Sequence, residues 1–112
     1  MKYQCIIKMV GCGSELLDEI RNGRETALNE MNFEKTFPDG GWCKTQTNID
    51  IDGTTVTVTA TFEGDGEMYL EHMHRMEHEA LTGEFQASFK REYANVKPEK
   101  SCTNLKAIVT KL

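Results

Sequence analysis

The sequence predicts an α+β domain in which two helices cover one face of an antiparallel sheet. Three stretches support this prediction: an alternating pattern around Asp-Gly at residues 42–63, and apolar stripes of helical period at residues 14–32 and 67–81. At 112 residues the chain suits one domain with a single core. We therefore expect residues 1–112 to form a single α+β domain.

The first strand and the first helix follow one another directly. Residues 2–10 alternate apolar and more polar side chains, as a half-buried strand does. Gly11-Cys12-Gly13 interrupts this pattern, and the Ser14 hydroxyl is suited to capping a helix that runs to about Asn32. Gly23 falls within the apolar stripe of this helix, where it costs about 1 kcal/mol of helix propensity and would allow close packing or a bend.

Residues 42–63 predict a β-hairpin that turns at Asp52-Gly53. Asp-Gly between β-forming residues is a strong hairpin signal, because a two-residue type I′ turn needs positive φ at both central positions. This turn opposes Ile49 to Val56, and it makes one face of the hairpin largely apolar and the other polar. Trp42 would then fall on the polar side, opposite Glu63.

The C-terminal third of the sequence combines a clear helical pattern with a segment that fits both a helix and a strand. Residues 67–81 predict a second helix, with Gly83 at the position of a left-handed C-terminal cap. Phe85, Phe89 and Tyr93 fit a helix, yet residues 84–96 also fit the alternation of a strand. The Gly83 stop and the connection at residues 97–100 favour the strand, followed by a last strand at residues 102–111.

The predicted order is β-α-β-β-α-β, with one further strand if residues 84–94 are extended. This order resembles the ferredoxin-like split βαβ arrangement, in which two helices cover one face of an antiparallel sheet. The resemblance is architectural and covers most of the chain. A fold shared by so many proteins implies no function.

Composition excludes several functions. The formal charge is −5, and the 13 basic residues are scattered, so the sequence lacks the basic footprint of an extended nucleic-acid site. The expected open sheet face carries Thr55, Thr57, Thr59 and Thr61 and no aromatic platform for stacked bases. No apolar run reaches the roughly 20 residues that span a bilayer. We expect no membrane association and no cofactor.

The cysteines favour a cytoplasmic protein with reduced thiols. Cys5, Cys12, Cys43 and Cys102 are far apart, and no C-x-x-C pair suggests a zinc ribbon or a redox motif. Cys12 lies in the glycine loop after the first strand and has no partner nearby in sequence. We therefore predict Cys12 to be the most exposed and most reactive thiol.

The His74-Arg75-Met76-Glu77-His78 segment matches H-x-x-E-H and is similar to the inverted zinc motif of inverzincin peptidases. That resemblance implies zinc ligation by His74 and His78, with Glu77 as general base. Glu71 would be the additional ligand on the same helical face. A metal-binding protein or a metal-dependent hydrolase is therefore one hypothesis. The competing interpretation is a solvated helix face, and the match covers only five residues.

A protein-interaction module is the function that we favour from the sequence. No nucleophile, base and oxyanion donor can be placed together, which argues against an enzyme. Trp42 and Met68 project from otherwise polar or solvent-facing surfaces, and Glu67 and Glu71 are acidic neighbours of Met68. We expect an inhibitor or adaptor that binds a basic, nucleic-acid-handling partner, and that is a monomer or a weak homodimer. A small-ligand pocket between helices and sheet is a third hypothesis without identified polar anchors.

Overall fold

The computed structural model describes residues 1–112 and contains a five-stranded sheet, three α-helices and one 3₁₀ helix at Pro98–Lys100. The elements in chain order are β1 (Lys2–Val10), α1 (Ser14–Met31), β2 (Glu34–Thr36), β3 (Trp42–Asp52), β4 (Thr55–Gly64), α2 (Glu67–Thr82), α3 (Glu84–Glu92) and β5 (Asn104–Lys111). The strand order is β2-β3-β4-β1-β5, and all neighbours are antiparallel. The α+β class is confirmed, whereas the order of elements differs from the prediction in two places.

The first difference is α3, which replaces the strand predicted at residues 84–96. Gly83, at φ 77°, ends α2 in the left-handed conformation, and the next residue begins a new helix. Phe85 and Phe89 lie one turn apart and are both half-buried. The rings of Phe89 and Tyr93 are 4.7 Å apart. The helical period of these aromatic residues, which suits burial on a sheet, outweighs the alternation that suggested a strand.

The second difference is β2, a short strand between α1 and β3 that the predicted order does not include. Glu34–Thr36 pairs with the start of β3, so Trp42 does not lie on the edge of the sheet. Further along β3, the backbone N–H of Thr47 donates to the Asn32 side chain at 2.6 Å. The outer edges of the sheet are therefore β2 and β5.

The β3–β4 hairpin is confirmed, but its predicted register was wrong by two residues. Ile49 pairs with Val58 rather than Val56, because the two-residue loop is Gly53-Thr54. Gly53 has φ 59° and no residue other than glycine has positive φ, which fits a type II′ turn and not type I′. A shift of two preserves the faces of both strands. Trp42 therefore stays on the polar side, while Glu63 pairs with Lys44.

The predicted helices at residues 14–32 and 67–81 are confirmed with small changes at their ends. α1 begins at Ser14, and Gly13 occupies the N-cap without a side-chain hydrogen bond, so Ser14 is not the cap. Asn32 follows the last residue of α1 and its side chain donates to the Leu28 carbonyl oxygen. No helix is both long and apolar enough to cross a membrane.

The three α-helices lie on the same face of the sheet. The buried core between them and the sheet divides into two clusters. One cluster contains Tyr3, Cys43, Tyr69 and Met73 beneath α2. The other contains Cys12, Leu17, Ile49 and Val56 beneath α1. The two clusters lie toward opposite ends of the strands. The opposite side of the sheet, here called the open face, carries the Thr55 to Thr61 row and Trp42.

Candidate functional site

Two apolar hollows meet on the helical side of the sheet. One hollow has a volume of about 270 Å³ and lies against α1. The other has a volume of about 420 Å³ and lies against α3. They share Met9, Met31 and Val58, and we call the two together the groove. The groove therefore crosses the middle of the sheet between α1 and α3.

The groove exists because the helices cover opposite margins of the sheet. α1 packs chiefly on β3, whereas α2 and α3 pack on β5. The central strands β1 and β4 are left partly covered, and their core-facing side chains Ile7, Met9 and Val58 are only half-buried. These three side chains form an apolar floor.

The α1 wall of the groove is made by the stripe that the sequence predicted for a core contact. Leu16, Ile20, Ala27 and Met31 line the first hollow, and Met31 remains 41% exposed. Gly23 lies among them, and a Cβ atom built on it would meet nothing within 4 Å. Gly23 therefore does not pack closely against a neighbour, and it leaves open space in the wall.

The opposite wall comes from α3. Phe85, Phe89 and Tyr93 face the second hollow, with Leu105 of β5 beneath them. Tyr93 is 40% exposed although its ring stacks on Phe89. These residues were not assigned a functional role from the sequence, because a strand at residues 84–96 was expected to lie within the sheet and not to form a wall above it. Their spacing of four residues places them on one face of a strand as well as of a helix, so the spacing alone did not identify the wall.

All charged side chains that line the groove are acidic. Glu19 lies at the α1 hollow, and Glu79 and Glu92 lie at the α3 hollow. No Lys or Arg lines either hollow. Acidic residues also outnumber Lys and Arg by five to two in α1 and by four to one in α2. The groove therefore combines an apolar floor with an acidic border.

A separate hollow of about 250 Å³ lies between β2 and the N-terminal half of α2, and we call it the corner hollow. It brings together Met68 and Glu71, two of the four residues predicted to bind a partner, with Phe33, Lys35, Phe37, Cys43, Phe62, His72 and Arg75. Burial, helped by the Arg75 and Lys35 cations, lowers the pKa of His72.

The other two predicted interaction residues lie apart from the corner hollow. Trp42 is 42% exposed and belongs to the open face, on the side of β3 opposite the buried Cys43. Glu67 is the first residue of α2 and is exposed. The structure thus brings together only part of the predicted patch, and none of its members lines the groove.

The histidines of the H-x-x-E-H segment lie on α2 without assembling a metal site. The rings of His74 and Tyr3 make an edge-to-face contact, with their centroids 6.4 Å apart. His78 is exposed, Glu77 is half-buried, and Glu71 lines the corner hollow. The structure contains no group of three or more His, Cys, Asp or Glu side chains arranged to hold a metal ion.

Cys12 is not the exposed thiol that the loop composition suggested. Its side chain packs with Leu17, Ile49 and Val56, and only 4% of its surface is accessible. Its backbone N–H donates to the Thr54 carbonyl oxygen, which turns the residue into the core. Burial raises the pKa of the Cys12 thiol, so the thiolate that would react is disfavoured at neutral pH.

No protein-family model, curated protein or solved structure matches this chain significantly.

Proposed function

We propose that this protein is a small interaction module that binds a basic amphipathic helix of a protein partner in the groove. The observation that carries the proposal is the apolar groove whose only charged lining residues are Glu19, Glu79 and Glu92. An amphipathic helix can lay its apolar face in such a groove, with Lys or Arg side chains near the carboxylates. Apolar burial would supply affinity, and the charges would select basic partners.

Methionine at two shared positions of the groove suits this role. Met9 and Met31 border both hollows. Unbranched thioether side chains adapt to differently shaped apolar surfaces, as in other proteins that bind helices in grooves. The aromatic wall of Phe85, Phe89 and Tyr93 would provide the larger contact area.

An acidic domain with such a groove would act by binding. It would occupy a surface of its partner, as an inhibitor or adaptor, and the acidic helices would accelerate encounter with a basic, nucleic-acid-handling protein. We propose a cytoplasmic protein, which is supported by four unpaired cysteines. We also propose a monomer or weak homodimer that needs no cofactor.

We further propose that the four long strands and helices α1 and α2 form a ferredoxin-like core. The order β3-β4-β1-β5, with α1 after the first of these strands and α2 before the last, supports this assignment. β2 and α3 would then be additions to the core. α3 is the addition that supplies one wall of the groove.

Binding of designed helical peptides to charge variants tests the function. The peptide has a leucine face flanked by lysines, and a matched peptide carries glutamates in place of the lysines. Replacing Glu19, Glu79 and Glu92 by Gln should weaken binding of the basic peptide about tenfold, taking about 0.5 kcal/mol for each exposed ion pair.

The matched control replaces Glu25, Glu67 and Glu71 by Gln, which removes the same charge outside the groove. It should change affinity much less. Equal binding of both peptides, or a larger effect of the control variant, would contradict the proposal; the second result would point to the corner hollow.

A further inference from the structure

Gly11 and Cys12 lie across from Cys102 just beyond Val10 and Asn104, where the regular β1–β5 ladder ends. The ladder ends with Val10 opposite Asn104. The Thr103 backbone N–H donates to the Val10 carbonyl oxygen at 2.9 Å, and the Gly13 N–H donates to the Ser101 carbonyl oxygen at 2.8 Å. Cys12 and Cys102 fall between these two hydrogen bonds.

The glycine between Val10 and Cys12 supports this alignment. A Cβ atom added to Gly11 would collide with the Thr103 side chain, so Gly11 lies directly beside Thr103. The Cys12 N–H donates to the carbonyl oxygen of Thr54, the residue before β4, at 2.9 Å, and not toward Cys102. The two cysteines therefore lie on adjacent segments without a hydrogen bond between their backbones, and both belong to the same packed cluster.

Adjacent strands place facing residues at a spacing that suits a disulfide. Disulfides join Cα atoms roughly 4.4 to 6.8 Å apart, and facing Cα atoms of antiparallel strands are roughly 4.5 to 5.5 Å apart. Both side chains also point to the same side of the sheet, because Cys102 packs against the cluster that contains Cys12. Burial raises the pKa of the Cys102 thiol, and the charge interaction with Cys12 raises it further.

We propose that Cys12 and Cys102 form a reversible intramolecular disulfide by exchange with a small-molecule disulfide. Cys102 is the partly exposed member, and it borders a surface hollow of about 500 Å³ that also includes Gly11, Gly13 and Pro98. This hollow gives a small reagent access to Cys102, whereas Cys12 is buried.

The exchange proceeds in two balanced steps. The Cys102 thiolate attacks one sulfur of the reagent RSSR, breaks its S–S bond, forms a mixed disulfide and releases RS⁻. The Cys12 thiolate then attacks Cys102 Sγ, breaks the mixed S–S bond, forms the Cys12–Cys102 bond and releases the second RS⁻. The two thiol protons end on the released thiols. The protein dithiol is oxidised and the reagent is reduced to two RSH.

This bond would join the β1–α1 loop to the segment that enters β5. It would cross-link residues 12 and 102, which are far apart in sequence, and so restrict the unfolded chain. The oxidised protein should unfold at a higher temperature than the reduced protein. This inference does not depend on the groove having a ligand.

The test incubates the folded protein with oxidised glutathione and maps the products by mass spectrometry. We expect a Cys12–Cys102 linked peptide, loss of two hydrogens from the intact mass, reversal by dithiothreitol, and faster formation at higher pH. Cys12→Ser should stop the reaction at a glutathione adduct on Cys102. The Cys5→Ala, Cys43→Ala double variant is the control and should still form the bond.

A glutathione adduct that persists on Cys102 while Cys12 is present would overturn the proposal. So would a native-state product in which Cys12 pairs with Cys5 or Cys43, or an oxidised protein whose melting temperature is lower than that of the reduced form. Failure of this test would leave the helix-binding groove unaffected.

Discussion

The Asp39 carboxylate accepts a hydrogen bond from the backbone N–H of Met68, at 3.2 Å, and thereby caps α2 from the loop between β2 and β3. The same carboxylate accepts a second bond from the Gly41 N–H at 3.0 Å. These backbone donors, Gly41 first and then Met68, lower the pKa of Asp39. One side chain therefore joins the β2–β3 loop to the start of α2.

Asp39→Asn should lower the melting temperature at neutral pH. Because the folded-state pKa of Asp39 lies below its ordinary value, its contribution is present at neutral pH and is lost as the pH falls through the folded-state pKa. The difference between wild type and variant should therefore shrink in acid. Thermal melts at a series of acidic pH values measure this difference in melting temperature, with Asp50→Asn on the open face as the control. A difference that grows in acid would contradict the assignment.

Gly23→Ala should stabilise the protein by roughly 0.5 to 1 kcal/mol. Ala is a better helix former than Gly, and the added methyl group meets no atom within 4 Å. Urea denaturation gives the change in the free energy of unfolding. Gly11→Ala is the matched comparison, because Gly11 has φ 66° and the methyl group would collide with Thr103. Gly11→Ala should destabilise the protein. A loss of stability in Gly23→Ala would contradict the open space beside Gly23 in the α1 wall.

Tyr69→Phe should cost about 1 kcal/mol at neutral pH, since the Tyr69 hydroxyl donates to the Met1 carbonyl oxygen at 3.0 Å. Burial raises the pKa of Tyr69 from 10.0 to about 12. The neutral hydroxyl is therefore favoured in the folded state, and its contribution is lost as the pH rises from 10 through about 12. Melts at alkaline pH should show this loss in wild type and in Tyr93→Phe, but less of it in Tyr69→Phe.

The hairpin illustrates what local sequence specifies. Alternation identified both strands and the correct face of each, since a side chain's face depends only on its position along the strand. The register was wrong because Asp52-Gly53 is compatible with more than one turn. The observed strand pairing and the φ values place the loop at Gly53-Thr54 and not at Asp52-Gly53.

The groove could not be predicted, because it depends on how separate elements meet. The stripe of α1 was recognised, but a helical stripe does not reveal whether its partner covers it fully. α3 was interpreted as a strand, which removed the second wall, and the acidic border requires Glu19 and Glu92 from distant parts of the chain. Cys12 was expected to be exposed because the residues that bury it, Leu17, Ile49 and Val56, meet it only in the fold.

The methionine methyl groups provide the most direct measurement of the central claim. Of the six methionines, Met9 and Met31 border the groove and Met68 lies in the corner hollow. The measurement is NMR of ¹³C-methyl-labelled protein titrated with the lysine-flanked amphipathic peptide. Gly23→Leu is the blocking variant, because its side chain would enter the open space of the α1 wall.

We predict that the Met9 and Met31 methyl resonances shift together with peptide concentration while Met68 stays unchanged, and that Gly23→Leu folds but loses these shifts. Perturbation of Met68 with Met9 and Met31 unchanged, or unaltered binding by Gly23→Leu, would contradict the assignment of the groove as the binding surface.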